Sequence, residues 1–500
     1  MYVLGIDVGT SSIKVSVVEI ATARIVVTVQ YPEKERAIIS PENGWAEQAP
    51  TQWWEDVQQA ILKAHATQKY VPKEIKAIGI AYQMHGLVMI NRKHEVIRNS
   101  IIWCDSRAVT IGDTAFQAMG ENYCLTHLLN SPGNFTASKL AWVQQHEPHL
   151  YNQIYQILLP GDYIALQFTG QTTTTVSALS EGVFWDFQQC QLSAAVMHYF
   201  GFSADYIPTV QPVFGEHGTL LPDVAAQLQL QPGIPITYKA GDQPNNALSL
   251  NVSEPGEFAA TAGTSGVIYG VTDQLVFDRQ SRINSFAHVN YTNDAQRIGV
   301  LLCINGTGIL NSWLRKISGA SISYAEMNHL AAQVSFGSDG LLMLPFGNGA
   351  ERILQNKTLQ AHIANIGLNI HSSAHLYRAA QEGIAFAFKY GLNIMRENKL
   401  VPKVIRAGKA NMFLSEVFAD IFVQNTGVPL HLYNNDGSIG AAMGAAIGAG
   451  AYNSIQEAMQ HQQPVAVMMP DKNKMELYSQ IYNRWEALLN EKLSNPIQSL

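Results

Sequence analysis

The chain has 500 residues, of which 47% are hydrophobic and 14% charged, and its formal net charge is −7. This length exceeds what one hydrophobic core usually serves, so we expect two or more domains. The acidic balance argues against a nucleic-acid-binding protein or a basic membrane-surface protein. Four widely spaced cysteines without a Cys-x-x-Cys pair argue against a disulfide framework or a zinc knuckle.

The N-terminus does not resemble a targeting segment, because Asp7 already interrupts the first apolar run. No apolar stretch reaches the ~20 residues needed to span a bilayer. Together with cysteines that read as reduced thiols, these features predict a soluble, cytoplasmic protein.

The first element in the chain is a predicted hairpin, in which β-rich runs at 3–8 and 13–18 flank the turn Gly9-Thr10-Ser11-Ser12. A second predicted hairpin of the same kind occurs half a chain later, where runs at 258–262 and 267–269 flank the turn Gly263-Thr264-Ser265-Gly266. Small residues let a backbone approach phosphate closely, and unpaired N–H groups in such turns point at the anion. The repetition predicts a duplicated fold that holds a nucleotide between its two halves.

Between and after the hairpins, strands alternate with helices, which indicates α/β layering. Helical spacing of apolar residues predicts an amphipathic helix at about 51–66 and a long helix at 374–396. Buried strands are predicted at 75–80, 101–103, 234–238 and 403–407, while Thr172–Thr175 is expected to be exposed or at a sheet edge. The glycines at 440, 444 and 448 lie four apart, a spacing that lets another backbone pack closely against a helix.

Asp7 closes an apolar strand directly before the first turn. A functional interpretation has Asp7 orient Mg²⁺, usually through water, while the turn and Lys14 meet a transferring phosphate. The alternative is a hairpin turn with an Asx-type side-chain bond. The second copy of the turn favours function. The chain contains neither a Gly-x-x-x-x-Gly-Lys-Ser/Thr loop nor a Gly-x-Gly-x-x-Gly after the first strand, which argues against P-loop and dinucleotide folds.

Asp242 follows a predicted strand and precedes a predicted helix. Such a carboxylate can accept the proton of a substrate hydroxyl that attacks a γ-phosphate. Because the hydroxyl loses its proton late in a loose transition state, a base with a near-normal pKa (~4) suffices. The alternative is a helix N-cap, for which aspartate is favoured.

His85 lies in Gln83-Met84-His85-Gly86 after a strand, where it could read sugar hydroxyls, although a lone histidine is more often structural. Tryptophans could stack on a sugar or a base, although most tryptophans pack in cores. Neither residue type decides the function by itself.

Taken together, several segments resemble the FGGY carbohydrate kinases, in family order from residue 2 to about 452. They are Gly5–Ser12, Gln83–Gly86, Ile102–Arg107, Leu159–Tyr163, Ala240–Gln243, Ala262–Gly266 and Asp436–Ala442. The resemblance implies an α/β protein with two actin-like (ribonuclease H-like, ASKHA) domains and a catalytic cleft between them. It implies ATP and Mg²⁺ as cofactors, and transfer of the γ-phosphate to the 5-hydroxyl of D-xylulose.

By position, the resemblance implies an N-terminal domain at 1–250 with the sugar site, the phosphate loop and the catalytic base Asp242. It implies a nucleotide-binding C-terminal domain at 251–500, and a homodimer would be common among such relatives. The implied sugar contacts are Met84, His85, Asp242 and Gln243, and the implied metal residue is Asp7. The implied phosphate and nucleotide contacts are Gly9, Thr10, Ser11, Ser12, Lys14, Gly263, Thr264, Trp313 and Gly408.

Two departures from the family pattern affect these expectations. Lys409 stands in Ala407-Gly408-Lys409-Ala410, where the family usually has no side chain, and it could reach the α-phosphate instead. Gln243 follows Asp242 where xylulose-specific members often carry Asn and glycerol kinases carry Gln, which weakens the substrate assignment more than the reaction. Gluconate, glycerol, L-ribulose and L-fuculose are the rival substrates. An actin- or chaperone-like ATPase and a non-catalytic sugar sensor are the rival classes.

Overall fold

The computed structural model describes residues 1–319 and 321–494. Its first sheet has five strands in the order β3-β2-β1-β4-β5, and β2 is antiparallel to both neighbours while β1, β4 and β5 are mutually parallel. The strands are β1 (Tyr2–Val8), β2 (Ile13–Glu19), β3 (Ile25–Tyr31), β4 (Ile75–Tyr82) and β5 (Ile236–Gly241). The first predicted hairpin therefore forms the centre of this sheet.

The second sheet repeats this arrangement around the second hairpin. Its strands are β6 (Glu257–Ala262), β7 (Gly266–Thr272), β8 (Asn284–Ala287), β9 (Ile298–Ile304), β10 (Val404–Gly408), β11 (Leu430–Tyr433) and β12 (Ala466–Met468). In the order β8-β9-β7-β6-β10-β11-β12, β6, β10 and β11 are parallel, and β7 is antiparallel to β6 and β9. The shared order confirms the predicted duplicated α/β fold, and β8 and β12 extend its edges.

Helices cover the sheets and connect them. The α-helices of five or more residues are α1 (Pro50–Ala66), α2 (Val109–Met119), α3 (Thr136–His146), α4 (Pro160–Thr169), α5 (Val176–Glu181), α6 (Ala194–Phe200), α7 (Pro222–Gln227), α8 (Asp242–Ser249), α9 (Gly308–Ile317), α10 (Tyr324–Ala332), α11 (Ser373–Glu397), α12 (Glu416–Thr426), α13 (Gly437–Gly448), α14 (Ile455–Met459) and α15 (Lys472–Ser494). Within the described residues, none of these helices combines the length and the hydropathy needed to cross a membrane.

Short two-stranded ribbons complete the fold. They pair Glu47–Gln48 with Ser100–Ile101, Val88–Ile90 with Gln156–Leu158, Thr173–Thr174 with Thr209–Val210, Trp185–Asp186 with Gln191–Leu192, Leu342–Leu344 with His362–Ala364, and Ala350–Glu351 with Lys357–Thr358. Of the strand predicted at 101–103, only Ile101 lies in a strand, the two-residue strand Ser100–Ile101. This strand is short because its partner, Glu47–Gln48, also has only two residues.

Helix α13 packs on the first sheet, although it follows strands of the second sheet in sequence. A Cβ on Gly5 would overlap the carbonyl of Ser438, and one on Gly79 would overlap that of Ala441. On the helix side, a Cβ on Gly444 would lie 2.5 Å from the ring of Tyr238. Only glycine permits these approaches, and the close packing predicted from the glycine spacing is confirmed.

The threonine run at Thr172–Thr175 lies partly in a strand at the edge of a two-stranded ribbon, as one alternative predicted. It is not exposed, the other alternative, because three of its four residues are buried. The ammonium group of Lys239, also buried, donates hydrogen bonds of 2.6 and 3.0 Å to the carbonyl and the hydroxyl of Thr173. It also pairs with Asp162 at 2.7 Å. A buried charge requires such partners, so the polar run serves the interior rather than the surface.

Candidate active site

Three parallel strands of the first sheet end side by side, and each end carries predicted site residues. Strand β1 ends at Asp7-Val8, β4 leads into Gln83-Met84-His85, and β5 leads into Asp242. Val8 and Gly241 both pair with Tyr82 of β4, so the three ends lie at one edge of the sheet. This edge brings together the predicted metal, sugar and base residues.

The first Gly-Thr-Ser turn is held from behind by side chains of other segments. The Gly9 N–H donates to the Ser12 carbonyl at 3.2 Å, which closes the turn. Thr10 donates to Gln83 at 3.1 Å, and its hydroxyl accepts from the indole N–H of Trp103 at 3.0 Å. Gln48 donates to the Thr10 carbonyl at 2.7 Å. The turn is therefore positioned before any ligand arrives.

Asp7 lies against the beginning of helix α13. A Cβ on Gly437 would overlap the Asp7 carboxylate, so only glycine fits there. Burial raises the pKa of Asp7 to about 6, the charge of Lys14 opposes this, and the charge of Asp436 adds to it. Asp436 itself accepts the N–H groups of Ser438 and Ile439 as the N-cap of α13. Lys14 lies opposite Asp7 in the backbone register of the hairpin, and its contact with a phosphate stays a prediction.

Asp242 is the first residue of helix α8. Burial raises the pKa of its carboxyl to about 7, the negative charge of Asp7 adds to the increase, and hydrogen bonding to Gln243 acts in the opposite direction. The pKa of Asp242 is thus higher than the near-normal value that would suffice for a base in this transfer, because the carboxyl is desolvated and faces a second carboxylate. A group with a pKa near 7 suits proton transfer at neutral pH.

His85 adopts a left-handed backbone conformation with φ of 63°, which is costly for a residue with a side chain. Its Nδ1 lies 3.0 Å from the Glu181 carbonyl, which can only accept, so the proton is on Nδ1. Burial lowers the pKa of His85 to about 3. The ring is therefore neutral, with Nε2 as an acceptor.

Two buried charged side chains surround this histidine. Lys139 donates from Nζ to the His85 carbonyl at 2.8 Å, and burial lowers the pKa of its ammonium to about 7. Glu181 brings Oε2 to 3.8 Å from Nδ1 of His85, and no hydrogen bond from the described residues reaches either of its carboxyl oxygens. Burial raises the pKa of Glu181 well above its usual range, and the charges of Asp242 and Asp162 add to the increase.

The second Gly-Thr-Ser turn forms one wall of a cavity in the second half. The N–H groups of Gly308 and Ile309, at the start of α9, donate to the carbonyls of Gly263 and Thr264 at 2.9 and 3.1 Å. The cavity measures about 720 Å³, a size that suits a small-molecule ligand. Its polar lining includes Thr264, Asn311, Asn328, Asn411 and Ser415.

Not every predicted nucleotide residue lies on this cavity. Gly263 and Thr264 line it, whereas Trp313 and Gly408 are absent from the lining found among the described residues. Trp313 is on α9 with 46% of its surface exposed, and Gly408 ends β10. Lys409 next to it is exposed. The roles of Trp313, Gly408 and Lys409 stay predictions.

The donor set suits a hard divalent cation that brings its own water and phosphate ligands. Among the described residues, no three His, Cys, Asp or Glu side chains are grouped to hold a metal alone. The negative charge of Asp7 nevertheless raises the pKa of Asp242, because the two carboxylates repel each other, and a cation between them would reduce this repulsion. Mg²⁺ is characteristically held by one or two carboxylates plus substrate phosphates, so the residues present fit it.

Sequence reasoning missed Lys139, Glu181 and the cavity residues Asn311, Asn328, Asn411 and Ser415. Lys139 and Glu181 lie on helices α3 and α5, where a single charged residue resembles a solvent-exposed one. Glu181 is the last residue and the one charged residue of Val176–Glu181, which gives only a weak signal. The asparagines carry no spacing pattern that a motif search could use.

Comparisons with known proteins agree with this geometry. Residues 2–249 match the N-terminal domain, and residues 258–449 the C-terminal domain, of the FGGY family of carbohydrate kinases. The chain is similar to the xylulose kinase of Bacillus subtilis, with 28% identity over 97% of this chain and 96% of the relative. It is 29% identical to the xylulose kinase of Escherichia coli over 89% of each chain.

A solved structure, the gluconate kinase of Lactobacillus acidophilus, superimposes with a TM-score of 0.88 at 21% identity over 98% of each chain. At that identity the likeness concerns the fold alone. The two family domains cover most of the 500 residues. The chain therefore belongs to the FGGY family of carbohydrate kinases.

Proposed function

We propose that this carbohydrate kinase transfers the γ-phosphate of ATP to the 5-hydroxyl of D-xylulose, giving D-xylulose 5-phosphate and ADP. The observation that carries the chemistry is the position of Asp242, at the end of β5, beside Asp7 at the end of β1. The choice of sugar is supported by the names of the relatives in Bacillus subtilis and Escherichia coli.

In this proposal Asp242 is the catalytic base. The sugar oxygen forms a bond to the γ-phosphorus while the bond from that phosphorus to the bridging oxygen of ADP breaks. The proton of the hydroxyl passes to the Asp242 carboxylate. Because little covalent chemistry falls to the protein in such a transfer, positioning and charge stabilisation dominate.

The two turns would bind opposite ends of the phosphate chain. Gly9, Thr10, Ser11 and Ser12 with Lys14 would meet the transferring phosphate from the first half. Gly263, Thr264, Trp313 and Gly408 would bind the nucleotide from the second half, next to the 720 Å³ cavity. Mg²⁺, oriented through Asp7, would supply positive charge to the phosphates when bound. Closure of the halves would exclude water, which competes as a nucleophile.

Met84, His85 and Gln243 would bind the sugar. His85 is suited to accept a hydrogen bond from a sugar hydroxyl at Nε2, because the Glu181 carbonyl holds the ring proton on Nδ1. The ring packs edge-on to Phe135 at 4.8 Å and tilted to Phe286 at 5.4 Å between centroids, so it has one orientation. Phe286 is on β8 of the second sheet, which couples the sugar site to the other half.

A coupled assay of ADP release over a panel of sugars tests the proposal. We expect D-xylulose to give the highest kcat/KM, above L-ribulose, L-fuculose, glycerol and gluconate. Phosphorus NMR of the product would place the new ester on the 5-oxygen. A higher kcat/KM for another member of the panel would overturn the choice of sugar. ADP release that no sugar stimulates would overturn the kinase assignment.

A further inference from the structure

Arg352 is a cation in the cleft without an acidic partner. It begins a short turn, Arg352–Leu354, beside β9. No carboxylate within the described residues forms an ion pair with it. The neighbouring Glu351 carboxylate is turned away, since it accepts the N–H groups of Asn305 and Gly306 at 2.9 and 2.7 Å. Among the residues that the structure describes, no carboxylate therefore acts as a counter-charge to its guanidinium.

A row of partly exposed side chains lies on one face of the second sheet. Thr261, Val267 and Cys303 are direct neighbours across β6, β7 and β9, so their side chains share one face of the sheet. All three side chains are partly exposed, although the residues before and after each of them in the chain are buried. Burial raises the pKa of the Cys303 thiol to about 11, the Arg352 charge opposes this, and the Asp242 charge adds to it. The charges of Arg352 from one half and of Asp242 from the other therefore both act on Cys303.

The orientation of Arg352 is fixed by polar contacts that cross between the halves. Its Nη1 donates to Asn284 at 2.8 Å, and Asn284 donates to Asn130 at 3.0 Å. Asn130, from the first half, also accepts the Ser285 N–H at 3.1 Å. In the described part of the chain no hydrogen bond uses Nε or Nη2 of Arg352, and neither nitrogen is sealed from solvent. These two nitrogens form the fork that binds two oxygens of one anion.

A largely buried guanidinium is costly unless an anion compensates it. Sugar hydroxyls would leave the charge uncompensated, whereas a phosphoryl group brings both charge and paired oxygens. We propose that Arg352 is a catalytic residue that binds the phosphoryl group during its transfer to the sugar and then holds the phosphate of the product. This inference rests on the proposed function, because it needs a phosphoryl transfer in this cleft.

The test compares full-length wild type with Arg352→Gln, Arg352→Lys and the control Arg297→Gln, whose arginine pairs with Glu254 at 3.2 Å. Calorimetry measures the Kd of D-xylulose, of D-xylulose 5-phosphate and of inorganic phosphate, and the coupled assay measures kcat. For Arg352→Gln we expect kcat to fall about 10²-fold and the Kd of the sugar phosphate to rise about 10-fold or more. The Kd of D-xylulose should change less than about 3-fold, because its hydroxyls are proposed to bind Met84, His85 and Gln243 rather than Arg352.

Equal weakening of sugar and sugar phosphate would overturn the proposal and make Arg352 a sugar-binding residue. A kcat close to that of Arg297→Gln would overturn it too. If Arg352→Gln does not fold, Arg352→Lys decides: a retained charge should keep part of the sugar-phosphate affinity while kcat falls, and unchanged kcat contradicts the proposal. A wrong choice of D-xylulose would give a different result, because the wild-type enzyme would then release no ADP in response to D-xylulose. The binding of inorganic phosphate to Arg352 does not depend on which sugar is the substrate, so it can still be measured in that case.

Discussion

The Cα of Gly437 lies directly against the carboxylate of Asp7, although the two residues come from opposite ends of the chain. Gly437 begins helix α13, whose Gly444 and Gly448 also lie close against strand β5 of the first sheet. The helix that follows the second sheet therefore supports the residue proposed to orient the metal. This contact links the position of α13 to the geometry of the phosphate site.

Gly437→Ala should reduce kcat at least 10-fold, because the new Cβ would overlap Oδ2 of Asp7 and force the carboxylate to move. The Kd of the sugar should change less than about 3-fold. Gly367→Ala is the matched control, since its Cβ would make only ordinary contacts, the nearest at 3.6 Å. Steady-state kinetics on both variants check this, and equal kcat values would show that Asp7 tolerates displacement.

The activity should depend on pH through the two carboxyls. The folded-state pKa is raised to about 6 for Asp7 and to about 7 for Asp242, and both must be ionised to act. Therefore kcat/KM should rise with pH between about 5.5 and 7.5 and be constant above, with apparent pKa values that belong to the pair. In the pH profile of kcat, the rise should occur at lower pH than in the profile of kcat/KM. The reason is that positive charge bound with the substrates favours the ionised carboxylates.

A pH profile of kcat/KM that stays flat down to pH 5 would contradict this description. It would instead support a base with an ordinary aspartate pKa, as the sequence led us to expect. The profile must be collected over a range in which the protein remains folded, which circular dichroism at each pH verifies.

Lys139→Met should raise the KM of the sugar about 10-fold, because it removes the 2.8 Å hydrogen bond that holds the His85 carbonyl in its left-handed conformation. The KM of ATP and kcat should stay within about 2-fold to 3-fold, since Lys139 does not contact the phosphate turns. Lys76→Met, at an exposed position of β4, is the control. A loss confined to kcat would show that Lys139 acts on the transfer rather than on sugar binding.

Local patterns predicted much of this fold. Both hairpins, the helix at Pro50–Ala66, the long helix at Ser373–Glu397 and the strand before Gly408 are where periodicity and turn residues placed them. Asp7, His85 and Asp242 each follow a strand, and parallel strands deliver such residues to one edge. The sequence alone therefore predicts that the residues at these strand ends form one functional site.

What the sequence could not indicate depends on contacts between distant segments. The pKa of Asp242 depends on its burial and on Asp7, 235 positions earlier in the chain. Arg352 and Lys139 look like ordinary surface cations until the fold buries them. The burial of the threonine run was missed because its partner, Lys239, is itself a residue that composition assigns to the surface.

The most direct test of the central claim is single-turnover phosphoryl transfer by Asp242→Asn, which keeps the shape of the side chain but cannot accept the proton. Calorimetry should first show that D-xylulose and ATP still bind within about 3-fold of wild type. With binding intact, we predict that the rate of D-xylulose 5-phosphate formation falls about 10²-fold or more. A rate near that of wild type, with both ligands bound, would contradict the assignment of Asp242 as the base.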